Sequence, residues 1–419
     1  MKELYARRIE SLLADKEAPC MLCIFSGKAP MRSGDEAYPF SVDRNFYYLT
    51  GIDRENMILA LSKGADGRVS RILFIEPYDE FLAKWVGGRM RAAEAEEISG
   101  IADIRDLSEF PGWAGSFIDF QRGMGKLHVW LDLWKYEDTQ TDTQAHQFAD
   151  WLRRKYPAVA AEDLFGDLAA LRAIKDPEEL KLMRRAQDIT CEAVKDMLRY
   201  AKPGMNETEI EGAFDFGLMR QGCREHAFPT ITAAGPRATT LHYSSNNCVA
   251  EDGQLVLVDL GGAEQHYCAD ISRTFPVNGK FTARQKEIYD TVLEAQRIVR
   301  ESARPGMTMR QLDDLVVNYY ESRLDDLGLR KNGKGVSDYY YHSVTHSLGL
   351  DTHDVCSLRE RTLQPGMVIT DEPGLYIEDE GIGVRIENDL LITEDGAVDL
   401  SAGIPKTTEE IEAVMAEEY

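Results

Sequence analysis

The sequence predicts an α/β protein of at least two domains, on three observations. Its 419 residues exceed what one hydrophobic core organises, while 43% hydrophobic and 29% charged residues suit a soluble globular chain. Strand-like apolar runs alternate with helix-like stretches through the first part of the chain, the pattern of an α/β domain. At Ala173-Ile174-Lys175-Asp176-Pro177-Glu178-Glu179 a helix-start signature opens a new series of helices and strands. This places an N-terminal α/β domain at 1–165 and a second domain at 173–419.

The elements follow in order. Leu4, Ile9, Leu12 and Leu13 recur at helical spacing, so the chain opens on an amphipathic helix. Strands are predicted around Met21 to Phe25, Met57 to Leu61, Ile72 to Ile75 and Val129 to Leu133, with helices at Ala92 to Ile98 and Gln144 to Tyr156. At the boundary, Asp176 suits a helix cap, Pro177 the first turn, and Glu178 and Glu179 the positive end of the helix dipole. That helix runs to Lys202-Pro203-Gly204, and a second covers Glu207 to Gly222. Strands are expected next at Thr230 to Ala233, Leu255 to Asp259 and Ala269 to Val277, then helices at Gln285 to Arg304 and Met309 to Leu327. Arg304-Pro305-Gly306 echoes Lys202-Pro203-Gly204, a trace of internal duplication.

Composition narrows the function. With 72 acidic against 48 basic side chains the net charge is -24, which opposes nucleic acid and anionic membranes. Seven irregularly spaced cysteines fit reduced thiols better than a disulfide framework. Cys20 and Cys23 form a C-x-x-C, but within an apolar run that reads as a buried strand. No apolar segment has the length of a signal peptide or of a ~18-residue membrane span, so a cytoplasmic protein is expected.

One stretch stands apart: His342, His346 and His353 put three of the eight histidines within twelve residues. A single histidine there would read as a hydrogen-bonded core or loop imidazole. Two acidic hairpins change the balance. An apolar strand ends at Asp259-Leu260-Gly261-Gly262, and a second begins near Asp270; a turn centred on Glu264 and Gln265 sets Asp259 opposite Asp270, roughly 4.5–5.5 Å away. Likewise, the arms around Asp371-Glu372-Pro373-Gly374 and Arg385-Ile386-Glu387 flank a turn at Glu378 to Gly381, which sets Glu372 opposite Glu387. Four carboxylates and His346 make a hard, oxygen-rich donor set suited to two divalent ions that share one water and clamp a hydrolytic transition state.

In this set and order the sequence resembles the metallopeptidases of the "pita-bread" fold, and within them aminopeptidase P and prolidase. The likeness spans nearly the whole chain. It includes Glu36-Ala37-Tyr38-Pro39-Phe40, Phe46-Tyr47-Tyr48-Leu49-Thr50-Gly51, Leu241-His242-Tyr243, Val258-Asp259-Leu260-Gly261 and Asp270-Ile271-Ser272-Arg273-Thr274-Phe275. It continues through the histidine stretch, Glu372-Pro373-Gly374-Leu375-Tyr376 and Arg385-Ile386-Glu387. The resemblance implies an N-terminal aminopeptidase P-type domain followed by an α+β pita-bread catalytic domain. It implies Asp259, Asp270, His346, Glu372 and Glu387 as ligands of two divalent ions, manganese foremost, with cobalt, iron or zinc as alternatives. Glu372 doubles as general base, His353 stabilises the tetrahedral intermediate, His242 and His342 line the proline side of the pocket, and Arg385 and Tyr376 orient Asp259 and relay protons.

The activity implied is release of the N-terminal residue from peptides with proline second, by a homodimer or homotetramer. Prolidase, confined to Xaa-Pro dipeptides, is the nearest alternative. A metal-free enzyme of the creatinase kind, or a binding module, is more remote, because such members have lost ligands and all five stand here. Two positions depart from the family pattern: Ser343 in place of glycine, and Asp371 before Glu372 in place of an apolar or amide residue. Asp371 is expected to add negative charge beside the site. The short link from Tyr376 to Arg385 trims one wall of the pocket.

Overall fold

The structure, a computed structural model, describes residues 1–331, 333–355 and 360–417; Cys356 lies outside them. The chain divides into two compact units, Met1–Arg172 and Ala173–Tyr419.

The first unit opens with α1 (Lys2–Ala14), which buries Leu4, Ile9, Leu12 and Leu13 as their spacing predicts. Its centre is a six-stranded mixed sheet made of β1 (Cys20–Phe25), β2 (Ile58–Lys63), β3 (Val69–Ile75), β4 (Asp103–Asp106), β5 (His128–Leu131) and β6 (Ala160–Asp163), in the order β4-β3-β2-β1-β5-β6. β1 is antiparallel to β2 and parallel to β5. Being central it buries successive residues on both faces, so its sequence is a continuous apolar run. Met21, Cys23, Ile58, Ala60, Ile72 and Phe74 form one core with Phe110, Ala114 and Ile118 of helix Phe110–Gln121 and Phe148 and Leu152 of helix Gln144–Lys155. Cys20 and Cys23 are fully buried free thiols in this strand, and burial pushes the Cys23 thiol up. No helix among the described residues is long and apolar enough to cross a membrane.

The second unit begins with α2 (Pro177–Tyr200), whose first turn carries Pro177 and whose Glu179 carboxylate accepts from the Asp176 N–H at 2.8 Å. α3 (Glu207–Arg220) follows. β7 (Ile231–Ala234), β8 (Leu255–Leu260) and β9 (Ile271–Pro276) make an antiparallel sheet with β8 central. α4 (Ala283–Ser302) and α5 (Met309–Arg323) are each started by a threonine, Thr282 and Thr308, accepting from a glutamine N–H three residues on. β10 (Val368–Asp371), β11 (Gly374–Ile377), β12 (Ile382–Arg385), β13 (Asn388–Thr393) and β14 (Gly396–Asp399) complete the unit: β13 lies between β10 and β14, and β11 pairs with β12. One core joins Met197, Phe214, Val258, Phe275, Val292, Val316, Ile369 and Leu390 from helices and both sheets.

The Lys-Pro-Gly and Arg-Pro-Gly echo is geometric as well as sequential. Gly204 (φ +89°) and Gly306 (φ +92°) both adopt the left-handed conformation, and each N–H reaches a distant loop carbonyl, Ala250 and Leu363 respectively. The cap residue that follows, Asn206 or Thr308, bridges an extended partner, Val249 or Thr362. Two halves of the unit thus start their second helix in the same way.

Candidate metal centre

Two hairpins and one loop build the site. The β8–β9 register departs from the expectation. Asp259 pairs with Ser272, not Asp270, because the turn is Gln265-His266, both at positive φ (+49° and +68°), one position later than the predicted centre. A shift of two along the partner strand keeps the same face, since side chains alternate with period two. Asp270 therefore remains a diagonal neighbour of Asp259, and the Asp259 charge helps raise its carboxyl. The double glycine matters here: a Cβ on Gly261 would lie 1.9 Å from the Ala269 carbonyl oxygen.

The second hairpin has the expected register. Asp371 pairs with Asn388 on one side and Gly374 with Arg385 on the other, which brackets Glu372 opposite Glu387. The loop between α5 and β10 supplies His346, whose Nε2 lies 3.4 Å from Asp270 Oδ2 and 3.5 Å from Glu372 Oε1. One ligand atom each from Asp270, His346 and Glu387 lies within 4.8 Å of the others.

Electrostatics supports a cation site. Burial raises the carboxyls of Asp270 and Glu387 well above their ordinary values and that of Glu372 less far; in all three the negative charge of Asp259 adds to it. Asp259 Oδ1 is buried without a hydrogen-bond partner, while Oδ2 accepts from Arg385 Nη2 at 2.6 Å. His346 Nδ1–H donates to the Ser347 carbonyl at 3.1 Å, leaving the Nε2 lone pair directed at the carboxylates. Four carboxylates face the single guanidinium of Arg385, so the group carries unbalanced negative charge that divalent cations would neutralise. The donor set fits hard or borderline metals.

Around it lie the remaining residues singled out in the sequence. Arg385 donates to Asp259 and, through Nε, to Ser272 Oγ at 2.7 Å, which in turn donates to Glu387 Oε2 at 2.7 Å. His342 Nδ1–H donates to the Ser343 carbonyl at 2.9 Å, so its Nε2 accepts from the Tyr376 hydroxyl at 2.9 Å; Arg385 Nη1 donates to that hydroxyl oxygen at 3.1 Å. Burial, then the Arg385 charge, lowers the His342 imidazole to about 3, which keeps it neutral in this chain of bonds. The His353 ring stands edge-on to His346 with centroids 4.5 Å apart, and burial lowers its pKa. His242 is exposed and acts electrostatically on both His342 and His353.

Sequence reasoning missed Asp389 and Thr370. Asp389 Oδ2 accepts the Asp270 N–H at 3.0 Å and a hydrogen bond from Gln187; Thr370 Oγ1 accepts the His346 N–H at 3.0 Å and donates to Glu372 Oε1 at 3.3 Å. The i+2 spacing from Glu387 and the i−2 spacing from Glu372, each on one strand face, were the available signals.

Asp371 differs from the expectation of added charge beside the site. Strand alternation turns it to the face opposite Glu372, where it is fully buried with neither carboxyl oxygen hydrogen-bonded. Burial, then the Asp399 charge, pushes its carboxyl well above the ordinary range. Its folded-state pKa thus exceeds the unfolded one, so the cost of burial is absent below the unfolded value and grows as pH rises toward the folded one. Asp371→Asn is expected to stabilise the protein by about 2 kcal/mol at pH 8, or about 5 °C in Tm, and far less at pH 4. Thermal melts of both proteins across this range check it; a gain independent of pH would contradict the account.

The fold and this donor set define a metal-dependent hydrolase, and comparison with known proteins makes the class specific. Residues 181–394 match metallopeptidase family M24, and residues 5–122 match the aminopeptidase P N-terminal domain. Xaa-Pro aminopeptidase of Escherichia coli is 34% identical, with 99% of this chain and 98% of that protein covered. Human Xaa-Pro aminopeptidase 3 is 32% identical over 94% of this chain and 80% of its own length. Among solved structures, E. coli aminopeptidase P with the inhibitor Pro-Leu is 33% identical, covers 99% of this chain and 98% of its own, and superposes with a TM-score of 0.89. The chain belongs to metallopeptidase family M24, in the pita-bread group that carries an aminopeptidase P N-terminal domain. It is a hydrolase, a metallo-aminopeptidase.

Proposed function

We propose that the protein releases the N-terminal residue from peptides with proline in the second position, using two divalent ions, manganese by preference. The observation that carries this reading is the convergence of two buried carboxylates, Asp270 and Glu387, two half-buried ones, Asp259 and Glu372, and His346 around the Arg385 guanidinium. Four carboxylates are more negative charge than Arg385 and one divalent ion balance, so the donor set has room for a second ion. Asp259, Asp270, His346, Glu372 and Glu387 would hold them, and the ions would supply an activated water and polarise the scissile carbonyl.

The chain's own groups do the rest. Glu372 Oε2, the oxygen not engaged by Thr370, accepts a proton from the attacking water and delivers it to the proline nitrogen as the bond breaks. His353 donates to the developing oxyanion. His242 and His342 border the space for the proline residue, His342 held as a neutral acceptor by Tyr376. Arg385 keeps Asp259 and, through Ser272, Glu387 in position. The relatives named Xaa-Pro aminopeptidase support the substrate class. A cytoplasmic homodimer or homotetramer completes the reading.

The test is cleavage of Ala-Pro-Ala beside Ala-Pro with manganese added. Release of free alanine from the tripeptide is the expected result. Cleavage of the dipeptide alone would make the enzyme a prolidase, and silence on both with metal bound would overturn the peptidase reading.

A further inference from the structure

The loop between β7 and β8 carries His242 but contains no regular structure beyond a short 3-10 turn at Gly235–Thr239. An exposed imidazole on such a segment needs an external anchor to keep one position. The first turn of α3 provides it. Glu207, the first residue of that helix, has a fully buried side chain, and its carboxylate accepts four hydrogen bonds, all from this loop and its edges. Oε1 accepts from the Ala234 N–H at 2.8 Å and from Arg237 Nε at 2.8 Å; Oε2 accepts from the Tyr243 hydroxyl at 2.9 Å and from the Cys248 N–H at 2.9 Å. The backbone closes the arrangement, since the Glu207 N–H donates to the Cys248 carbonyl at 2.8 Å. Tyr243 is the residue next to His242, so the carboxylate grips the loop on both sides of the imidazole and immediately beside it.

Neighbouring residues of the same helix turn add to this grip. Asn206 Nδ2 donates to the Asn247 carbonyl at 3.0 Å. Asn246, buried and at φ +42°, receives the Thr232 N–H on Oδ1 and donates through Nδ2 to the Thr230 carbonyl and to Glu211 Oε2. A buried carboxylate with four donors is saturated, and its charge is spread over a cation, a phenol and two backbone amides near the positive end of a helix. None of the four hydrogen bonds to Glu207 involves a metal-ligand candidate, although Ile231, between the Asn246-held Thr230 and Thr232, pairs with Asp259 in the sheet. The geometric output of this arrangement is the position of the His242 segment.

We infer that Glu207 is a positioning residue for the peptidase reaction, fixing the His242 loop so that the imidazole meets the proline side of the substrate. The inference rests on the reading of His242 given under Proposed function. Glu207→Gln keeps the shape but replaces one acceptor oxygen with a donor, which must then face two other donors. The loop loses its single position while the two metal-bearing hairpins keep theirs.

The test is a double-mutant cycle of Glu207→Gln and His242→Ala, with manganese-loaded protein, Ala-Pro-Ala as substrate, and bound metal measured alongside. Glu207→Gln is expected to lower kcat/KM about tenfold to a hundredfold with metal content unchanged. In the His242→Ala background the same substitution is expected to cost little, because the group it positions is already gone. An equal loss in both backgrounds, or no loss in either, overturns the inference and leaves Glu207 structural. A silent His242→Ala overturns instead the reading of His242 on which it rests. Where Glu207→Gln does not fold, Tyr243→Phe, which removes one hydrogen bond from the same carboxylate, goes through the same cycle with the same two outcomes.

Discussion

Exhaustive dialysis against a chelator is expected to take Ala-Pro-Ala cleavage to background, and added manganese to restore it, while the chain stays folded throughout. The loss of activity follows from the donor set, since no other group at the site can activate water or polarise a carbonyl so strongly. Survival of the fold follows from the core, which packs Val258, Phe275, Val292 and Ile369 without recourse to the site. It also follows from the carboxyls themselves. Asp270, Glu372 and Glu387 already have raised pKa values, chiefly through burial, so protons replace departing ions and the charge is neutralised. The sign with pH is then fixed. Groups whose folded pKa is raised favour the folded state at low pH and lose that contribution as pH rises through the folded value. The metal-free protein therefore melts earlier as pH rises from 5 to 8, and the gap to the metal-loaded protein widens. Binding at a hundredfold excess over Kd adds about 2.7 kcal/mol to the loaded form. Turnover that survives complete metal removal, verified by elemental analysis, would contradict the mechanism.

How much of this was legible in the sequence depended on how local the cause was. The Glu372–Glu387 pairing was readable because its turn, Glu378 to Gly381, closes on a glycine in the left-handed conformation (φ +62°) and the register runs unbroken on both sides. The Asp259–Asp270 register was misread by two residues because Gln265 and His266 take positive φ without a glycine to announce it. A slip of two preserves the strand face, so Asp270 stays beside Asp259. The i+2 spacing from Glu387 marks Asp389, but its partners and those of Glu207 were out of reach for another reason. Asp389 binds the Asp270 amide across 119 positions of sequence, and Glu207 collects donors from residues 27 to 41 positions away. Such contacts are set by tertiary packing, which no periodicity encodes. Asp371 shows the converse: its departure from the family pattern was visible, but only the strand's orientation reveals that it faces away from Glu372.

Glu372→Gln is expected to lower kcat by about a thousandfold, within the range for loss of a general acid–base group, and to change KM by less than about threefold. The substitution retains an oxygen for the metal and for the Thr370 hydroxyl, whose bond to Oε1 orients the side chain. It removes the basic oxygen that, in the proposed mechanism, takes the proton of the attacking water and returns it to the proline nitrogen, and neither role contributes to ground-state binding. It also removes one of four clustered negative charges, which relieves the repulsion that Glu387 and Asp270 feel from Glu372. Hence the variant is expected to be no less stable than the parent when stripped of metal, although its affinity for the ions falls. Metal content must be measured at saturating manganese so that a deficit in binding is not taken for a deficit in chemistry. With metal content equal to the parent's, an unchanged kcat would remove Glu372 from the proton path. A loss confined to KM would place it in substrate binding instead. A loss that excess manganese fully repairs would reduce its part to ligation, and the base would then be sought at His353, whose ring stands edge-on to His346.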